Sequence, residues 1–444
     1  MSISTSIQTN YKINDTDLGD ILVSKTYIMS TYRSFIENNT IPDAFWWGVH
    51  WPISTFIPKH TGDSYYRAVN KFPSGSTFIG EISDISISQG YPAGGGYTQR
   101  NMMVLMKDGT IWSCGRNRYS SLGLGHNYSC NCSTNNGSPY QIGTDNDWVH
   151  ISSGDEHTMA IKRNGSLWGW GNNAYGQMGG HDGNTGSWDV PANMGNEIRY
   201  YDDGSYSYYF TQWKYVACGD SFTLFIDYVG QLWSAGSNTL GKLGIGIYDG
   251  NDTQSRGYLT LVDTGPWKYV HAGEDSWIGI KENGRLYGCG DLFGANSPVE
   301  LGPTSGETWI HCHLNIYHWV AIRSDGTLWT GGIKPSFISR DNYNSVFGQE
   351  EGASISYTDK DLYGIKALGG PYRYAACGYL STMAIGANGK LYGWGNNQDL
   401  QIQPTSDSWI HGPFESPYST PYTNWKLIRG TDFGYIGLRS TQYI

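Results

Sequence analysis

The sequence predicts an all-β fold: a seven-bladed β-propeller of four-stranded blades, with an N-terminal arm and a clasp strand closing the last blade. Three observations carry this. A hairpin recurs six times along 444 residues. A short strand that often opens with Trp and usually ends in Gly precedes each hairpin and appears once more near the C-terminus. Sixty Gly, 34 Tyr and 18 Trp against only 15% charged residues suit short strands and tight turns better than helices.

Taken in order, residues 1–42 form an arm outside the repeats. Tyr11, Ile13, Leu18, Ile21, Leu22 and Val23 make an apolar cluster too far upstream for any blade, and such an arm is expected to dock. Residues 43–444 form the propeller. "DAFWWGVHWP" (43–52) reads as a displaced copy of the repeat's Leu-Trp-x-Trp-Gly strand and is expected to clasp the last blade. The repeats run from "ISDISISQG" (82–90), a loose first copy, through "WVHISSG" (148–154), "WKYVACG" (213–219), "WKYVHAG" (267–273), "WIHCHLN" (309–315) and "YRYAACG" (372–378) to "WKLIRG" (425–430). Glycine at the strand end suits a place where backbones converge, as near a propeller axis.

The turn glycines of the six hairpins are Gly109, Gly165, Gly230, Gly284, Gly326 and Gly389, spaced by 56, 65, 54, 42 and 63 residues. Five turns read Asn-Gly or Asp-Gly, which suits two-residue type I′ turns. That register sets Ile161 opposite Trp168 and Met159 opposite Trp170, with the bulky side chains on one face. Val229-Gly230 departs, and a β-branched residue resists positive φ, so a different turn is expected there. The column Trp112, Trp168, Trp233, Tyr287, Trp329 and Tyr392 is expected to stack blade on blade.

Chemistry is scarce. A formal charge of −10 gives no basic stripe, so no nucleic-acid partner is expected. No apolar run reaches the roughly 18 residues of a membrane span, and the N-terminus lacks a signal-peptide pattern, so neither membrane insertion nor standard export is expected. Cys218 and Cys377 share one repeat slot, and Cys114 and Cys289 share that of Trp170, as buried small hydrophobes would. Cys130-Asn-Cys132 near His126 lacks a second ligand pair, so no metal and no cofactor are expected. His157, His311 and His318 fall at repeat-related strand ends and read as structural hydrogen-bonders. No nucleophile or phosphate-loop signature occurs, so the protein is not expected to be an enzyme.

"GDEHTMAIKRNGSLWGWGNNAYGQMG" (154–179) resembles the regulator-of-chromosome-condensation repeat, Gly-x-x-His-Thr-x-Ala, a turn, then Leu-Trp-x-Trp-Gly-x-Asn-x-x-Gly-Gln-Leu-Gly. The resemblance covers about 82–438 and implies a seven-bladed propeller. It implies no single activity, since the family includes an exchange factor, ubiquitin-ligase modules, a plant ultraviolet photoreceptor and a β-lactamase inhibitor. The His-Thr pair is complete only at His157-Thr158, and the photoreceptor's Gly-Trp-Arg-His-Thr signature is absent, so the tryptophans read as packing. "TNYKINDTDLGDILVSKTYI" (9–28) resembles the leading arm of phage and large-virus structural proteins.

Two long inserts interrupt the repeats. The insert at 187–213 carries Trp188, Tyr200, Tyr201, Tyr206, Tyr208 and Tyr209 among Asp and Ser, the composition of an adaptable contact surface. The more polar 336–370 is the second candidate contact surface, with an ordered lid as the alternative. The expected function is a virion structural protein, in a tail, fibre or capsid, forming an oligomeric assembly with other virion proteins and offering loops to a host surface receptor. The alternative is an intracellular, cytoplasmic interaction scaffold or inhibitor using one propeller face.

Overall fold

A computed structural model describes residues 44–48, 66–69, 82–88, 101–115, 117–126, 140–179, 186–194, 197–200, 206–209, 211–247, 255–302, 308–349, 365–366, 369–398, 402–403, 407–417, 424–430 and 434–439. The arm residues Tyr11, Ile13, Leu18, Ile21 and Leu22 lie outside them, as do Tyr201, Cys130 and Cys132.

Seven four-stranded antiparallel sheets follow one another. We letter the strands of each blade a to d from the inner edge outward. Blade 2 is typical: Trp148–Ser153, His157–Lys162, Leu167–Gly171 and Trp188–Asn193. The a strands of the others are Ile82–Ile87 (blade 1), Trp213–Cys218 (3), Trp267–Ala272 (4), Trp309–Leu314 (5), Tyr372–Cys377 (6) and Trp425–Gly430 (7).

Blade 7 is assembled from both ends of the chain. Its b strand, Gly434–Arg439, pairs antiparallel with Ala44–Gly48, register Ala44 to Leu438 and Gly48 to Gly434. The expected clasp strand is therefore present. A further strand, Tyr66–Val69, pairs with Ala44–Gly48 as the outer edge and was not anticipated.

The hairpin register differs from expectation by one residue. Ile161 stands opposite Leu167, Ala160 opposite Trp168 and Thr158 opposite Trp170. The Lys162 amide donates to the Ser166 carbonyl and the Gly165 amide to the Lys162 carbonyl, so the loop has three residues. Only its last residue, Gly165 at φ +81°, is left-handed, as in a type I turn closed by a glycine bulge. The Asn or Asp before glycine serves another end: Asp108, Asn164, Asn283, Asp325 and Asn388 each accept the amide two residues on. Val229-Gly230 needs no different turn. Gly230 alone turns left-handed, at φ +91°, and Asp227 accepts the Gln231 amide instead.

In this register Trp168 and Trp170 share a face with Ala160 and Thr158, while Met159 and Ile161 load the other. Both faces are therefore packed, which corrects the picture of one bulky and one thin face. The column is also less buried than expected, being half-buried except at Trp233. The aromatics Trp148, Trp213, Trp267, Trp309, Tyr372 and Trp425, which open the a strands, are buried, as are Trp170, Trp277, Trp319 and Trp394. Column residues instead meet the opening aromatic of their own blade edge-on, as Trp168 does Trp148 at 5.7 Å and Tyr287 does Trp267 at 5.5 Å. A cation caps three such pairs: Lys162 lies 4.7 and 4.5 Å from Trp148 and Trp168, with Lys281 and Arg323 alike in blades 4 and 5.

The 336–370 insert contributes a helix, α1 (Arg340–Val346), capped by Ser339, whose side chain accepts the Asn342 amide. It replaces a loop found elsewhere. In blade 2 the Trp170 indole donates to the Ser121 carbonyl of the preceding blade, and in blade 6 Trp394 donates to Val346 of α1. Tyr343, Val346 and Phe347 are buried with Leu380, so this part of the insert is core.

Candidate functional site

The a strands meet around the axis, where two tiers of side chains face one another. The third position of each a strand supplies the first: Asp84, His150, Tyr215, Tyr269, His311, Tyr374 and Leu427, all half-buried. Rings follow one another from blade to blade, His150 to Tyr215 at 4.3 Å, Tyr215 to Tyr269 at 5.2 Å, Tyr269 to His311 at 6.4 Å and His311 to Tyr374 at 4.2 Å. Arg429 of blade 7 completes the circuit. It donates to the Tyr374 hydroxyl in blade 6, to Asp84 Oδ1 at 2.8 Å and to the Ile85 carbonyl at 3.0 Å in blade 1. Asp84 and Arg429 are 345 residues apart, so this contact closes the ring in space.

Hydrogen bonds stitch each blade to the next. His150 and His311 donate to the carbonyls of Val216 and Ala375 one blade on, at 2.8 and 2.6 Å, an assignment that puts the proton on Nε2. Fifth-position side chains accept amides: Ser86 from Ser153, Ser152 from Cys218 and His313 from Cys377. Toward one end, His157 meets Thr223 Oγ1 at 2.8 Å and His318 meets Thr382 Oγ1 at 3.0 Å. The His-Thr pair of the repeat is thus an inter-blade bond, with His of one blade meeting Thr of the next. A Cβ on Gly154 would stand 2.3 Å from the Gly219 carbonyl oxygen, the backbone convergence expected of the strand-end glycines.

Burial keeps these imidazoles neutral. It pushes His157 and His318 down to about 3, and His313 well below its usual range. His271 is lowered to about 3 by burial, then by Arg429 and His311. The described thiols, Cys114, Cys218, Cys289, Cys312 and Cys377, are all buried, and burial raises Cys218 and Cys289 to about 12. Cys114, Cys218, Cys289 and Cys377 fit the packing role read from the sequence.

The two ends of the barrel differ. One carries the b–c hairpins. The other, here the loop face, carries the a–b turns and c–d loops, joined by bonds such as Asn172 amide to Glu156 carbonyl. On this face blades 2 to 4 present Asp155 and Glu156, Asp220, and Glu274 and Asp275, all half-buried. Lys242, 2% exposed, pairs with Asp275 Oδ1 at 2.8 Å and reaches Ser221 Oγ at 3.2 Å. Burial raises Asp220 to about 6, Lys242 opposing and Asp155 and Asp275 adding to the rise. Blades 5 and 6 present aromatics instead: Tyr317 lies 5.3 Å from Tyr379 and 5.9 Å from Phe337, which is 60% exposed.

Of the sequence-predicted contact residues, Trp188 lies half-buried in the outer strand of blade 2, packed against the cores on both sides of that blade. Tyr200 stands opposite Tyr206, and Tyr208 and Tyr209 opposite Ile198 and Glu197, in a two-stranded sheet separate from the blades. Trp188 is thus not in the same sheet as the tyrosines. The acidic turns and the Arg429–Asp84 pair were missed. The turns carried a signal, since Asp-Glu, Asp-Ser and Glu-Asp follow the strand-end glycine in three successive repeats.

The pattern of the Regulator of chromosome condensation (RCC1) repeat matches residues 108–161, 164–226, 148–177 and 374–401. The chain is 26% identical over 272 residues to the ultraviolet-B receptor UVR8 of Arabidopsis thaliana, covering 57% of this chain and 54% of that protein. It is 24% identical over 313 residues to the X-linked retinitis pigmentosa GTPase regulator homolog of Caenorhabditis elegans, covering 68% and 19%. The match thus spans about half of the first relative and a fifth of the second. Among solved structures, Prp20p of Saccharomyces cerevisiae superposes with a TM-score of 0.65 at 16% identity, over 90% of this chain and 92% of that one. The chain therefore carries RCC1 repeats, and its seven four-stranded blades form an RCC1-type β-propeller.

Proposed function

We propose that the protein is a non-enzymatic interaction propeller that binds a basic protein partner through its loop face. The observation that carries this is the division of that face, with acidic turns on blades 2 to 4 beside Tyr317, Phe337 and Tyr379 on blades 5 and 6. Carboxylates steer and select a basic surface, and aromatics anchor it. The relatives lend support by their names: a receptor, a GTPase regulator homolog, and Prp20p, studied for its binding to Gsp1p and histones. The virion reading rested on residues 9–28, outside the described residues, and this proposal does not draw on it.

The test compares Asp155→Asn/Asp220→Asn/Glu274→Gln with Tyr206→Ser/Tyr208→Ser/Tyr209→Ser in the separate hairpin. A partner captured by the wild-type protein is purified and its affinity measured for both variants. The first is expected to lose about tenfold or more, roughly 1.4 kcal/mol, with a reduced salt dependence and no fall in melting temperature. Loss confined to the tyrosine variant would move the contact to the hairpin. Partner-independent turnover of a small molecule would contradict the reading as a whole.

A further inference from the structure

The second axial tier is built differently from the first. Its seven fifth-position residues are Ser86, Ser152, Ala217, His271, His313, Ala376 and Arg429. Four are small, of which Ala217 and Ala376 pack into the cores between blades, and the three large ones all carry nitrogen. No carboxylate belongs to this tier, and the Asp84 carboxylate of the first tier is held by Arg429.

His313 is 1% exposed, and its Nδ1 accepts the Cys377 amide at 3.2 Å, which fixes the proton on Nε2. Among the described residues that Nε2–H has no acceptor. The half-buried His271 ring stacks on His313 at 3.8 Å, and its Nδ1 likewise has no partner among the described residues. Arg429 commits three N–H groups to Asp84, Ile85 and Tyr374, of the five a guanidinium carries. A buried donor without an acceptor is costly, and here it stands near the fixed positive charge of Arg429.

We propose that the axial tier formed by His271, His313 and Arg429 binds an oxyanion, a carboxylate or a phosphate, either free or carried on an acidic side chain of a partner. His313 Nε2–H is the principal donor, His271 the second, and Arg429 supplies the field. The groups around the ligand are Tyr269 on blade 4, His311, Cys312 and His318 on blade 5, Tyr374 and Cys377 on blade 6, and Asp84 on blade 1. His271 is neutral without a ligand and its Nδ1 is open among the described residues, so an arriving anion favours proton uptake there and binding tightens as pH falls.

The test is a titration of the full chain with inorganic phosphate and, separately, acetate, following the histidine ring resonances by NMR between pH 7.5 and 5.5, values bracketing the usual imidazole range. The expected result is a saturable shift at His271 and His313 that tightens toward low pH. It should weaken tenfold or more in His271→Phe, which keeps a stacking ring, and in His313→Gln, which can still accept the Cys377 amide. Response to phosphate alone assigns a phosphate, and response to acetate alone a carboxylate. If a peptide with acidic side chains binds more tightly than either free anion, the ligand belongs to a partner. No response to phosphate, acetate or acidic peptide at millimolar concentration overturns the proposal, as does a response that both variants retain.

Discussion

Blade 2 and blade 7 share a strand pattern but not a way of closing. Blade 2 comes from one continuous stretch, 148–193, with every strand pairing to its neighbour in sequence. Blade 7 draws two strands from 425–439 and two from 44–69, so its third strand pairs across almost the whole chain. Loop-closure entropy grows slowly with length, so distance alone does not make this pairing weak. What differs is redundancy. Blade 2 is bounded by hydrogen-bonded neighbours at both a-strand joints, through Ser86, His150 and Ser152. At the joint from blade 7 to blade 1, Arg429 supplies the described inter-blade hydrogen bonds. Around it, Ile436 and Leu438 of blade 7 pack with Ile85, Ile87 and Val104 of blade 1.

The largest expected effect follows from the strand borrowed by blade 7. Deleting residues 1–52 removes Ala44–Gly48 and bares the edge of Gly434–Arg439, so the protein should lose its cooperative thermal transition or aggregate through the open edge. Deletion of 1–25 is expected to leave the transition in place. An unchanged melting temperature after the longer deletion would contradict the clasp.

Within blade 2 the contrast is between two tryptophans on one strand. Trp170 is fully buried and donates to the Ser121 carbonyl, whereas Trp168 is half-buried and donates to Ser166 Oγ. Trp170→Ala should cost about 3–5 kcal/mol, the range for emptying a core aromatic site, and Trp168→Ala clearly less. Denaturant titration of both variants decides between them, and equal costs would restore the column as the principal stacking element.

A smaller effect is expected from acid. His157, His313 and His318 are almost fully buried with folded-state values well below 6.5, so the unfolded chain binds more protons below that pH. Stability should be insensitive to them above 6.5 and fall as pH drops from 6.5 toward 3, by up to about 1.4 kcal/mol per pH unit for each group. Asp220, raised to about 6, acts oppositely: between its unfolded value near 3.8 and 6 the folded state holds the extra proton, so acid favours folding through it. In His157→Gln the slope of stability against pH should fall by about one proton. An unchanged slope would mean that His157 is protonated alike in both states.

The blades were legible because each repeat states its own hairpin, and the clasp because 43–52 copies a strand missing from the last repeat. The hairpin register was not. Asn-Gly is compatible with both two- and three-residue loops, and the choice appears only in which residue carries positive φ, Gly165 alone. The outer strand Tyr66–Val69 lacks the repeat's Trp and Gly marks, so nothing in its pattern assigned it to a blade. The axial tiers were half legible: His311 was read as a strand-end hydrogen-bonder, and it does bond the next blade. That Arg429 would meet Asp84 depends on ring closure, a contact that no local pattern encodes.

The central claim is that Arg429 holds the joint between blade 7 and blade 1 together with the apolar packing around it. Native-state hydrogen exchange of Arg429→Met, which keeps much of the side chain's bulk, tests it most directly. The account predicts faster exchange confined to Ile82–Ile87, Trp425–Gly430 and Gly434–Arg439, with His157–Lys162 of blade 2 protected as in the wild type. Exchange that accelerates equally in blades 2 and 7, or in neither, would contradict it.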